Sequence, residues 1–214
     1  MKRSLLIIFL VLLLDQAVKI YIKTHMYLGQ EIHVFGNWFI IHFTENYGMA
    51  FGLEFGGITG KFLLSIFRIA AIIGIGWYLR QLILHKRQTG LIVSFSLVFA
   101  GAMGNIIDSA FYGMIFSESN FQLAKFFPAE GGYAAFLQGR VVDMLYFPII
   151  NGNFPSWFPF WANESFIFFR PVFNIADTAI TSGVFALIIW QKKFFADMKD
   201  PYPENTVKDI PSGV

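Results

Sequence analysis

Four stretches of this chain are long and apolar enough to cross a bilayer as helices, although none is free of polar residues. A helix needs about 20 predominantly apolar residues to cross a bilayer. The windows 4–22, 62–83, 90–112 and 172–195 each supply such a run. Composition agrees: 56% of the residues are hydrophobic and only 14% charged, whereas an ordinary soluble domain carries about 25% charged residues. The 27 Phe suit lipid contact and the membrane interface. The expected fold is a mainly α membrane protein, with four transmembrane helices and a small β-hairpin or sheet on its outer face. A single membrane-embedded domain is expected over 1–199.

The first window resembles a cleavable signal peptide, because Lys2 and Arg3 precede a leucine-rich run. Asp15, Gln16 and Lys19 follow at once, where a small-residue cleavage site would belong, so the reading is a retained first helix. Basic residues set the orientation. Lys2 and Arg3 stand before the first span; Arg80, His85, Lys86 and Arg87 join the second to the third; Lys192 and Lys193 close the fourth. Four spans put these clusters on one side, so both termini are expected to be cytoplasmic. Segments 23–61 and 113–171 then face outward, carrying Glu31, Glu45, Glu54, Glu118, Glu130 and Glu164.

The first outer segment, about 28–60, reads as β structure. Segments 31–35 and 38–44 are rich in aromatic and β-branched residues around Gly36-Asn37, a two-residue hairpin signal. A small sheet resting on the outer membrane surface follows, with Trp38 at the interface. The second outer segment is a long loop, with a Gly-Gly turn at 131–132 and Pro at 128, 148, 155 and 159; loops of such length tend to be functional or mobile. The tail 200–214, with three Pro and few apolar residues, reads as a disordered cytoplasmic end.

There is no cysteine, which excludes disulfides, thiolate metal sites and Cys nucleophiles. The four His, at 25, 33, 42 and 85, are scattered, and only His33 and His42 flank the hairpin closely enough to meet across it. Neither a metal nor a cofactor is expected, and a net charge of +2 gives no reason to expect a nucleic-acid partner.

The informative residues are those an apolar span should not contain. An ionisable group in hydrocarbon costs roughly 2.5–3.5 kcal/mol on insertion scales and by default marks function. Asp15 and Lys19 are four apart on the first span and share a face, where they can pair. Arg68 lies on the second span, Asn105 and Asp108 on the third, Asn174 and Asp177 on the fourth, while Asp143 precedes the apolar run 144–150. At 1.5 Å per residue, Asp177 lies roughly 8 Å and Asp15 roughly 10 Å below the outer edge. The carboxylates gather toward one leaflet, which suits a site opening on that surface better than a proton path. Two readings of the spacing stand: a carboxylate pair that shares a proton and hydrolyses a bond, or aspartates that merely hydrogen-bond neighbouring helices. A small transporter and a structural membrane protein are the rival classes.

Five polar segments, read in order, carry a resemblance. LLLDQAVKIYIK at 12–23, ENYGMAFG at 45–52, GAMGNIID at 101–108, GRVVDMLYF at 139–147 and FNIADTAI at 173–180 resemble the motif series of the lipoprotein signal peptidases (signal peptidase II). The resemblance implies an intramembrane aspartyl endopeptidase of the bacterial cytoplasmic (inner) membrane. Such an enzyme removes the signal peptide of diacylglyceryl-modified prolipoproteins just before the lipidated Cys, at the outer face. It makes Asp143 and Asp177 the catalytic pair, with Asp15, Lys19, Asn46, Gly48, Asn105, Asp108 and Asn174 in support. Gly52 joins Gly48 as a position for a tight turn or close backbone approach. Implied partners are lipid-modified prolipoproteins, membrane lipids and the cyclic peptide inhibitors of the family.

Two departures stand out. Ser109 follows Asp108 where the family pattern has Arg, and an insert, about 114–138, separates Gly113 from Gly139. Arg140, three residues before Asp143, is the candidate to supply the missing positive charge near Asp108 or the substrate. The insert, with Phe121, Phe126, Phe127 and Tyr133, reads either as a lid or extra interfacial helix, or as decoration. Arg68 matches none of the motifs.

Overall fold

A computed structural model describes residues 1–46, 57–168 and 171–196. Gly48, Gly52 and the 200–214 tail lie outside the described residues. Helix α1 spans Lys2–His25, strands β1 and β2 Glu31–Phe35 and Phe39–Asn46, α2 Gly57–Leu84 and α3 Thr89–Ile107. A π-helical turn, Asp108–Tyr112, and the short α4, Gly113–Ile115, extend α3. Beyond the insert come β3 (Val141–Tyr146), β4 (Ile150–Asn153), β5 (Ser165–Phe168), β6 (Val172–Phe173), α5 (Ile175–Ile189) and α6 (Gln191–Phe194).

Among the described residues, three helical stretches are long and apolar enough to cross a membrane: Lys2–His25, Phe62–Leu84 and Thr89–Ile115. Helix α5 is the fourth apolar helix and is shorter. The apolar window that opens at 172 divides, because Val172 and Phe173 pair with β3 as a strand. Asn174 then caps α5 through a reciprocal capping box with Asp177. The helix stops at Trp190, and α6 follows as one more turn.

The helices are packed inside out. On α1, Leu5, Leu6, Phe9, Leu10, Leu13 and Leu14 are exposed, while Asp15, Lys19, Ile22 and Lys23 are buried. Asp15, Lys19 and Lys23 recur at helical spacing and so form one polar stripe facing the bundle. A soluble helix has the opposite arrangement; with lipid as solvent, leucine belongs outside and charge must find partners inside. Helix α3 is central, touching α1, α2 and α5. It meets α5 and α1 through small residues: a Cβ at Gly101 would run into the Ala176 carbonyl of α5, and one at Gly104 would lie 2.7 Å from the Asp15 carboxylate of α1. Small residues let helix backbones approach where burial of apolar side chains offers no drive.

At one end of the bundle stands a four-stranded antiparallel sheet in the order β1-β2-β3-β6. Its first hairpin differs from the two-residue turn expected. Phe35 pairs with Phe39 and Trp38 belongs to the loop, with Gly36 at φ +51°; a three-residue connection with a left-handed residue is the next commonest hairpin. His42 lies opposite Glu31, and His33 opposite Ile40, so the two histidines are not cross-strand partners. Between sheet and helices lies a small apolar core, in which Ile22, Met26, Phe43, Tyr112, Phe116, Val142 and Met144 pack together.

The two outer insertions are built differently from expectation. Within 116–138 there is no helix; the segment is a series of turns with one bridge between Phe116 and Phe126. Phe116 enters the core, whereas Phe121 is 99% exposed. The reading as an extra interfacial helix is therefore corrected: glycine at 131 and 132 and backbone bonds to the end of the third span break the segment into turns. The stretch after β3, read as loop, contains a hairpin in which β4 pairs with β5. Phe154, Phe158 and Trp161 stack at its tip, and Trp157 and Phe160 project outward.

Candidate active site

Three elements converge on one asparagine. Asp143 sits on β3, its side chain buried, because Val142 and Met144 turn into the core and alternation sends Asp143 to the opposite face. Asp177 is the third residue of α5, fixed there by the capping box: its backbone N–H donates to Asn174 Oδ1 at 2.9 Å, while its carboxylate accepts from the Asn174 N–H at 3.3 Å. The Asn174 amide nitrogen donates to Asp143 Oδ1 at 2.7 Å and to Asn105 Oδ1 at 3.1 Å. Asn105, from α3, donates in turn to Asp177 Oδ1 at 2.8 Å. On the far side of Asp143, the Asn46 amide donates to Oδ2. The two aspartates are thus oriented by three asparagines from β2, α3 and the start of α5.

Their environments differ. Asp143 is 2% exposed and Asp177 is half-buried. Burial pushes the Asp143 carboxyl up to about 8, and the nearby Asp177 charge adds to the rise, while the Asn174 hydrogen bond opposes it. A buried carboxyl beside a second carboxylate holds its proton, which is the condition for acid–base work by a pair.

Beneath the pair lies a fully satisfied ionic layer. Lys19 Nζ reaches Asp15 at 2.9 Å, Asp108 at 2.8 Å and Asn105 Oδ1 at 2.9 Å. Asp15 accepts from the Ala176 N–H at 2.8 Å and so braces the first turn of α5. Asp108 accepts from the Val142 N–H at 3.3 Å and holds the strand beside Asp143. Gln16 bridges the two aspartates, and the Tyr112 hydroxyl donates to it. Asp108 opens the π-helical turn, a widened turn that often occurs at functional sites.

Of the two places the sequence offers for the Arg140 charge, near Asp108 or near the substrate, the structure does not bear out the first. Its guanidinium goes to Glu118, through two bonds of 2.9 Å, and to Glu45 at 3.1 Å. The cation paired with Asp108 is Lys19. Ser109, where the family pattern has Arg, turns its hydroxyl back to the Asn105 carbonyl. Arg68, which fitted no motif, lies within electrostatic reach of both Asp177 and Asp143. It lines a cavity of about 130 Å3 with Phe67, Ala71, Ile72, Ala102, Asn105 and Ile180. The signal for Arg68 was its position, a charge inside an apolar span. Glu45 stands only as the first residue of the ENYGMAFG segment, and nothing local flags Glu118, which lies in a connection where acidic residues are ordinary.

The fold and this site define a multi-pass membrane protein with a carboxylate pair at one end of its helix bundle. Residues 7–193 match the family described as Signal peptidase (SPase) II. A protein named lipoprotein signal peptidase from Porphyromonas gingivalis is 50% identical over 208 residues, covering 95% of this chain and 90% of its own. One of the same name from Amoebophilus asiaticus is 37% identical over 204 residues, covering 94% and 81%. A solved structure described as a bacterial membrane enzyme superposes with a TM-score of 0.58 at 25% identity, covering 95% of this chain and 96% of that one. The chain belongs to the signal peptidase II family, membrane proteases that process prolipoproteins.

Proposed function

We propose that this protein cleaves diacylglyceryl-modified prolipoproteins just before the lipidated Cys, by an aspartyl mechanism in which Asp143 and Asp177 are the catalytic residues. The observation that carries the reading is the single Asn174 side chain and backbone joining both carboxylates, from a strand and a helix far apart in sequence. The two carboxylates share one proton, so that one can act as base while the other acts as acid. One carboxylate takes a proton from water as its oxygen adds to the scissile carbonyl carbon, and the other donates its proton to that carbonyl oxygen. Collapse of the tetrahedral intermediate breaks the C–N bond: the departing amine takes the proton gained from water by the first carboxylate, and a hydroxyl of the intermediate returns its proton to the second as the carbonyl re-forms. Neither metal nor cofactor enters the scheme.

The basic residues at both ends and between α2 and α3 put the termini in the cytoplasm. The dyad then lies at the outer leaflet, and the substrate arrives from the lipid with its acyl chains still in the bilayer. The cavity beside Arg68 and Asn105 is the natural place for apolar residues of the signal peptide, and cyclic peptide inhibitors of the family would compete there.

The test is cleavage of a diacylglyceryl-modified prolipoprotein by the purified protein in lipid, followed by gel shift. Asp143→Asn and Asp177→Asn should each lower the rate by about 10²–10⁴-fold, with unmodified substrate left uncut. Cleavage at the normal rate by both variants would remove the dyad from the mechanism.

A further inference from the structure

A second ionic cluster, partly buried and outside the dyad and its supporting layer, joins the 116–138 insert to the strands that carry the site. It starts at Lys23, one turn beyond Lys19 on α1 and equally buried. Lys23 pairs with Glu45 and donates to the Ser119 hydroxyl at 2.9 Å. Glu45 also takes Arg140, which is held at two points by Glu118 of the insert. Tyr133 completes the cluster. Its ring lies 4.9 Å from both the Lys23 ammonium and the Arg140 guanidinium, and its hydroxyl accepts from the Arg140 N–H at 2.7 Å. Two cations face two carboxylates, so the cluster is balanced.

Its position in the chain matters more than its balance. Glu45 immediately precedes Asn46, whose amide holds Asp143. Arg140 immediately precedes β3, which carries Asp143, and Glu45 is registered opposite Val142 in that strand. The cluster therefore grips both strands within three residues of the Asn46–Asp143 contact. The insert is itself anchored, with backbone bonds from Leu28 to Ser119, from Ala124 to Lys23 and from Gly139 to Ser109. A bidentate guanidinium–carboxylate pair fixes direction as well as distance.

We propose that the insert is a clamp for the reaction: Glu118 and Arg140 are positioning residues that act through Glu45 to hold the Asn46 amide on Asp143. The proposal rests on Asp143 being catalytic. With Glu118 neutralised, the two bonds that draw the Arg140 guanidinium toward the insert are weakened, Arg140 shifts relative to Glu45, and the end of β2 that carries Asn46 loosens. Misplacement of a catalytic group by about 1 Å is enough to cost on the order of 10²-fold.

The experiment uses the full chain in lipid with the diacylglyceryl-modified substrate. Glu118 is 37% exposed, so Glu118→Gln can be made without burying an unpaired group. The expected result is a kcat about tenfold lower with KM and melting midpoint little changed, and the same for Arg140→Gln, with Arg140→Lys intermediate. In an Asn46→Ala background, Glu118→Gln should lower kcat no further, since its route to Asp143 is already cut. Phe121→Ala, on an exposed part of the same insert, should leave kcat unchanged. A normal kcat in Glu118→Gln, or a loss that tracks the melting midpoint or adds fully to Asn46→Ala, would reduce the cluster to a structural staple. Asp143→Asn separates the two ideas. If it is inactive while Glu118→Gln is normal, only the clamp fails; if it still cuts, the dyad reading fails first.

Discussion

Lys19 and Lys23 stand one turn apart on the same face of α1, and neither side chain has any exposed surface. Their neighbourhoods differ in kind. Lys19 is enclosed by carboxylates from α1 itself and from the end of α3, with Asn105 as a third partner. Lys23 reaches out of the bundle to a strand and to the insert. The inner lysine is built from helix positions at fixed spacing; the outer one depends on where two long connections happen to return. A buried charge is tolerable only when paired and hydrogen-bonded, and the chain meets that demand twice, once with helices and once with loops.

Stability can break this comparison. Lys19→Met would leave Asp15 and Asp108 buried against each other without their shared cation. Breaking such a pair typically costs about 3–5 kcal/mol, read as a drop in the unfolding midpoint of the solubilised protein. It should also impair cleavage, because the same ammonium orients Asn105 and, through it, Asp177.

The strand β3 belongs to both neighbourhoods, and pH addresses it. The Asp143 carboxyl is raised from an ordinary 3.8 to about 8 in the folded protein, so the native state binds more protons than the unfolded chain between these values. Its contribution to stability is full below about 3.8 and is lost as pH rises through about 8. Asp143→Asn removes the titrating group, and the fall of the unfolding midpoint across that window should become shallower. An unchanged slope would assign the dependence to other groups.

Lys23→Met should cost less than Lys19→Met, about 1–3 kcal/mol, because Glu45 keeps Arg140 as a partner. If the two substitutions proved equally damaging in the same unfolding measurement, the outer cluster would be as indispensable as the inner layer, and the contrast drawn between them would fall.

Much of the inner neighbourhood is legible in the sequence alone. Asp15 and Lys19 are spaced to share a helix face, and they do pair. Asn105, Asp108, Asn174 and Asp177 announced themselves as polar residues in apolar windows. The outer neighbourhood was not legible in this way. Arg140 is expected near Asp108 or the substrate because it is close to Asp143 along the chain, but the return of the insert brings Glu118 to its guanidinium and Lys19 already pairs with Asp108. The start of α5 was hidden for a similar reason: Val172 and Phe173 are as apolar as the helix that follows, and only strand pairing sets them apart.

The sequence by itself determined the solvent of this protein, its helical framework and the identity of the polar residues that the bundle must shelter. Those follow from local quantities, namely the length of apolar runs, the 3.6-residue repeat and the cost of charge in hydrocarbon. Only the tertiary structure decided which partner each charge takes: Lys19 for Asp108, Glu118 for Arg140, and one asparagine for two aspartates. Partner choice depends on how segments tens of residues apart come together, and the free energy of a buried ion pair resides in that geometry rather than in either residue alone.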